Sequence, residues 1–224
     1  MSAAQPTVGA SLRRFVTFGT PIAFGVVSII HPLPFGPSIV AAVQPQLGVW
    51  LAVHVVQFFL IGLLGLTLWL LVAGLSGRAA AVCRLTLIPF LVFYAGFDAI
   101  VGLGTGQLVM LAQRLPADEQ AVAARLIQQF WDARLDVSTP VPYVILVGAL
   151  SWVIAAIAAA VALRGAGASW VTVTLLGLAG LFFGIDHPFP TGTAAMICLF
   201  AAVVLLERQR SRNRHPISAT PTNM

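Results

Sequence analysis

Residues 47–75 read LGVWLAVHVVQFFLIGLLGLTLWLLVAGL and contain no charged side chain. About 20 predominantly apolar residues, at 1.5 Å rise each, cross a hydrocarbon core ~30 Å thick, so this stretch reads as a membrane-spanning helix. It stops at Ser76-Gly77-Arg78. Working outward, Arg13-Arg14 precedes an apolar run over 15–30. No small-residue cleavage site follows that run, because His31-Pro32-Leu33-Pro34-Phe35-Gly36 comes next, so it reads as an uncleaved helix rather than a signal peptide. Further spans are expected from Arg84 to about 107, over 140–163, over 169–185 and over 191–206.

The composition agrees with that pattern. Of 224 residues 59% are apolar and 8% are charged, against roughly 25% charged in soluble domains. With a mean hydropathy of +0.96, a water-soluble fold is excluded. The expected fold is an all-α membrane protein with six transmembrane helices in three antiparallel hairpins, plus one amphipathic interfacial helix. Residues 1–207 form a single polytopic domain, and 208–224 a disordered, basic cytoplasmic tail.

Every basic residue is Arg, and the net charge is +5. These arginines mark segment ends rather than one stripe, which reads as a topology signal and argues against a nucleic-acid surface. Arg13, Arg14, Arg78, Arg84, Arg164 and the tail arginines fall on one side of a six-span chain. Both termini are therefore expected in the cytoplasm of a bacterial-type plasma membrane, in a multi-pass protein whose first partner is the lipid bilayer. Cys83 and Cys198 are too few and too far apart for a disulfide framework or a metal knuckle.

The long outer connection carries Val122, Leu126, Ile127, Phe130 and Trp131 at three- and four-residue spacing, with Arg125, Gln128, Gln129 and Asp132 between them. That spacing predicts an amphipathic helix, with Pro116 in its first turn and Trp131 at headgroup level. It is either a lid over the bundle or a plain surface connection.

An internal echo is the most specific feature. His31-Pro-Leu-Pro-Phe-Gly36 and His187-Pro-Phe-Pro-Thr-Gly192 share the pattern H-P-x-P-x-G, each between one span and the next. The prolines end or break the helices there, and each histidine lies ~24–27 Å from the cytoplasmic start of its span. His54 reaches a similar depth from the second span and Asp98 from the third, with Asp186 beside His187. An ionisable group at membrane depth costs at least ~2.5–3.5 kcal/mol, so these residues are expected to face the bundle interior. A purely structural Asp98 would instead hydrogen-bond Tyr94 or a histidine.

His31, His54, Asp98 and His187 are thus the candidate metal ligands, a donor set suited to Zn²⁺, Cu²⁺ or non-haem Fe²⁺, though no H-E-x-x-H spacing supports it. The same pocket would serve a small apolar ligand. Without metal, Asp98 and His54 are the candidate catalytic acid–base pair of an intramembrane enzyme acting on a lipid or isoprenoid. A small proton-coupled transporter or a structural membrane protein are further alternatives. Other motifs carry less. Gly102-Leu-Gly-Thr-Gly106 follows an apolar helix rather than a strand, and reads as its loosened outer end. Gly180 and Gly184, like Ala155 and Ala159, have the spacing of close helix packing. Pro89 predicts a kink. Ser151 and Thr172 have no base at a recognisable spacing, and His215 falls in the basic tail.

Overall fold

The computed structural model describes residues 8–214, and these are helical with no strand. His215 lies outside the described residues. The helices are α1 (Val8–Ile30), α2 (Ile39–Val43), α3 (Leu47–Leu71), α4 (Arg78–Ala112), α5 (Ala117–Asp132), α6 (Val141–Gly165), α7 (Trp170–Ile185) and α8 (Thr191–Arg214). Among the described residues five candidate spans are long and apolar enough to cross a membrane, so the chain is an integral membrane protein. The fifth of the six expected spans, over 169–185, is α7, which has 16 residues, ~24 Å, and is shorter than a ~30 Å hydrocarbon core.

Consecutive long helices are neighbours, and the last packs against the first: α1, α3, α4, α6, α7 and α8 close into a ring. Small residues set the separations, as they do where helix association depends on close packing rather than on escape from water. A Cβ at Gly180 would run into Ala156, and one at Gly184 into Val153, so α7 lies antiparallel and tight on α6. Gly148 does the same for α6 against the Tyr94 backbone of α4. The ring interior is filled by Phe24, Phe90, Trp152 and Phe183, whose neighbouring rings sit 4.9–5.2 Å apart.

At one end of the ring, arginines satisfy orphaned helix carbonyls. Arg84 donates to Val72 O, Arg164 to Ala168 O and Arg210 to Leu71 O, and Glu207 pairs with Arg210 at 2.8 Å and with Arg13 at 3.7 Å. Arg84 and Arg210 thereby satisfy carbonyls at the C-terminal end of α3, and Arg164 satisfies one in the turn between α6 and α7. The opposite end carries the two H-P-x-P-x-G corners.

Several boundaries differ from the expectation. Residues 39–43 form α2, capped by Ser38 and, from α5, by the Gln128 side chain that accepts from Ile39 N. The third span does not loosen at Gly102–Gly106 but continues to Ala112. It contains two π-helical stretches, Phe90–Tyr94 directly after Pro89 and Asp98–Leu103. α8 runs on to Arg214, so residues 208–214 of the expected tail are helical. Pro116 precedes α5 rather than lying in its first turn. On α5 only Ile127 of the five apolar positions is fully buried, beside Trp50, Val109 and Ile39, while Val122 and Leu126 stay exposed.

Candidate functional site

Closing the ring puts α1 beside α8, and this brings the two echoed corners together. Ser28, one turn before His31, donates its hydroxyl to His187 O at 2.8 Å, and Phe189 N donates to Ser28 O at 3.0 Å. The His31 and His187 rings then meet edge-on, 5.2 Å between centroids. A Cβ at Gly192 would overlap the His187 carbonyl, which explains the glycine of the second corner.

His54 arrives from α3. Its ring lies against Gly102 of α4, where any Cβ would overlap it, and one turn earlier Trp50 Nε1 donates to Gly102 O at 2.8 Å. Gly106 makes the matching approach to Trp50 and Leu51. The two glycines, read from sequence as loose, instead allow α3 and α4 to touch backbone to ring. The His54 ring stands 4.9 Å from His31 and 4.7 Å from Trp50, and Trp131 of α5 covers Trp50 at 6.0 Å.

The hydrogen bonds fix which ring nitrogens are free. His31 Nδ1 lies 2.9 Å from Pro32 O, and His54 Nδ1 lies 2.8 Å from Trp50 O. A carbonyl oxygen only accepts, so both Nδ1 atoms carry the proton and both Nε2 atoms present a lone pair. His187 Nδ1 pairs with the Tyr94 hydroxyl at 3.1 Å, and its backbone N donates to Asp186 Oδ1 at 2.8 Å. Burial lowers the His31 pKa to about 4, with His54 close by adding to the effect and the Pro32 carbonyl opposing it. Burial lowers that of His187 as well. Both corner imidazoles are therefore neutral near pH 7.

Asp98, 2% exposed, sits at the start of the second π-helical stretch. Its Oδ2 has no hydrogen-bond partner, so the structural bond to Tyr94 or a histidine is not made by that oxygen, and Tyr94 serves His187 instead. Local π-helical geometry is common where a helix carries a functional group.

His31, His54, Asp98 and His187 all line one cavity of about 290 Å³. His31 Nε2, His187 Nε2 and Asp98 Oδ2 are buried and unpartnered. Other unpartnered buried groups, such as Gln57 and Trp152 Nε1, do not line it. Asp186 and Arg134 contribute charges of opposite sign to the lining, and the Arg134 guanidinium lies 3.9 Å from the Trp131 ring centroid. Burial raises the Asp186 pKa, opposed by the His187 N–H and by Arg134, and burial lowers that of Arg134. Ile185, 72% exposed, and Leu135, 74% exposed, belong to the wall, which therefore opens toward the ring's exterior.

As placed, the described residues hold no group of three or more His, Cys, Asp or Glu side chains arranged to bind a metal ion. The Zn²⁺, Cu²⁺ or Fe²⁺ reading therefore rests on donor chemistry alone. Sequence reasoning did not assign Tyr94, Trp50, Gly102 or Arg134 to the site. Of these only Gly102 carried a signal, as a glycine inside an apolar helix, where it marks a close approach. No family model, curated protein or solved structure matches the chain significantly.

Proposed function

We propose that this integral membrane protein binds a small, largely apolar ligand in the His31–His54–Asp98–His187 pocket. We read it as a six-span protein of a bacterial-type plasma membrane with both termini cytoplasmic and the pocket in the outer half. The observation carrying this reading is that three residues from three different segments, each with an unpartnered buried polar atom, line one cavity. Each such atom costs about 1–3 kcal/mol until a partner arrives, a large share of a typical 5–15 kcal/mol folding stability. A ligand that supplies those partners removes the cost.

The arginine-rich end of the ring supports the orientation, because short Arg-rich segments stay cytoplasmic. Reporter fusions after Gly36 and after Gly77 are expected to read opposite sides, and two cytoplasmic readings would remove α1 as a span. The short α7 supports a pocket below the outer surface, since its corner ends ~24 Å from the inner start of that helix.

For the binding reading itself, protein purified in mild detergent is expected to carry a stoichiometric apolar molecule. A His54→Ala, His187→Ala double variant is expected to lose it. Stoichiometric Zn, Cu or Fe that disappears in the variant would replace the organic ligand with a metal. Neither species in the wild type would leave a structural protein and end the binding reading. One observation favours a second reading, the metal-free acid–base enzyme: Asp98 and His54 line the same cavity, and there chemical conversion of the bound molecule would be its signature.

A further inference from the structure

We infer that the polar end of the ligand is an uncharged hydroxyl, carried by a membrane-borne alcohol whose head enters the cavity while its chain remains in lipid. This rests on the binding reading above and adds the chemical class.

The donor and acceptor pattern selects a hydroxyl. His31 Nε2 and His54 Nε2 are lone pairs, because their Nδ1 protons are committed to Pro32 O and Trp50 O. His187 is the reverse case. The Tyr94 hydroxyl, 2% exposed in its residue, has His187 Nδ1 as its hydrogen-bond partner. If Nδ1 carried the proton, the Tyr94 O–H would be a buried donor with nowhere to point. Asp186 Oδ1 stands 3.7 Å from Nδ1, beyond hydrogen-bond reach, so Tyr94 donates to Nδ1 and the proton of His187 sits on Nε2, in a residue that lines the cavity. The pocket thus offers acceptors and one N–H donor. A hydroxyl donates once and accepts twice, and so answers both kinds of group. An ammonium has donors only and leaves the His187 N–H unmet; a carboxylate has acceptors only and opposes the imidazole lone pairs. An ether accepts but cannot donate.

The charges in the lining point the same way. Asp98 and Asp186 oppose an anion, and Arg134 opposes a cation. Volume and access decide how much of the molecule enters. At about 30 Å³ per water-sized group, about 290 Å³ holds on the order of ten non-hydrogen atoms, a head and the first part of a chain. The wall residues Ile185 and Leu135 are mostly exposed, and Ile145 beside them is partly so. The remaining chain leaves past these residues, at the ends of α6 and α7, with Trp131 and Arg134 covering the head.

The test uses the full chain in nanodiscs and four probes with one isoprenoid chain: farnesol, its methyl ether, farnesylamine and farnesoic acid. Farnesol is expected to bind tightest, with the ether about tenfold weaker, and His54→Ala is expected to abolish both. Tyr94→Phe frees His187 to change tautomer and so removes the one N–H donor an ether can meet; it is expected to weaken the ether more than the alcohol, widening the preference for alcohol, with a modest loss of thermal stability because His187 Nδ1 loses its partner. If ether and alcohol bind equally, or the amine or acid binds tighter in a His54-dependent way, the hydroxyl assignment is overturned while the pocket stands. If no probe shows His54-dependent binding, the hydroxyl assignment falls. The pocket reading then falls too if the co-purification also finds no bound molecule.

Discussion

Asp98→Leu is expected to leave the chain at least as stable as the wild type in detergent while abolishing retention of the bound molecule. The carboxyl group is 2% exposed, and its Oδ2 meets no donor. A carboxylate at the centre of a span costs at least ~2.5–3.5 kcal/mol on insertion scales, and nothing in the surrounding helices offsets that at Oδ2. Removing it therefore relieves the fold and removes one of the groups the ligand satisfies. The checks are a thermal midpoint and ligand content on the same preparation. A large loss of stability would instead make Asp98 a structural residue and detach it from the site.

Gly102→Val is expected to act in the opposite sense, destabilising the protein by about 1–3 kcal/mol and emptying the pocket. Any Cβ at residue 102 overlaps the His54 ring, and the carbonyl of the same residue holds the Trp50 indole. Two side chains of the pocket are therefore displaced by one substitution made on a different helix. Gly62→Ala is the control, since a Cβ there meets nothing within 4 Å and α3 gains a better helix former. Equal behaviour of the two variants in unfolding and ligand-retention measurements would contradict the close α3–α4 approach.

What the sequence revealed and what it concealed have physical reasons. That His31 and His187 lie at the same end of the helix ring is legible because two proline-broken corners repeat one pattern, and helix rise converts position into distance. That His54 and Asp98 lie at the level of those corners follows from the same count. Their meeting with His31 and His187 depends on α8 packing against α1, a contact between the two ends of the chain that no local pattern encodes. Tyr94 escaped for the same reason: its partner His187 is 93 residues away. α2 was hidden by Pro32, Pro34, Pro37 and Pro45, which make residues 31–46 look like continuous loop although Ser38 caps a short helix between them. Pro89 marked a disturbance in the third span, but the second π-helical stretch, at Asp98–Leu103, has no sequence mark of its own. The amphipathic period located α5 correctly, yet period alone could not say that Ile127 would face protein while Val122 and Leu126 would stay exposed.

The most direct measurement is an experimental density map of the chain in a lipid nanodisc, at a resolution that shows bound small molecules. Non-protein density is expected inside the cavity, within hydrogen-bonding distance of His31 Nε2, His187 Nε2 and Asp98 Oδ2, and extending past Ile185 toward lipid. A cavity without density, with those three atoms paired to one another or to other protein groups, would contradict the account.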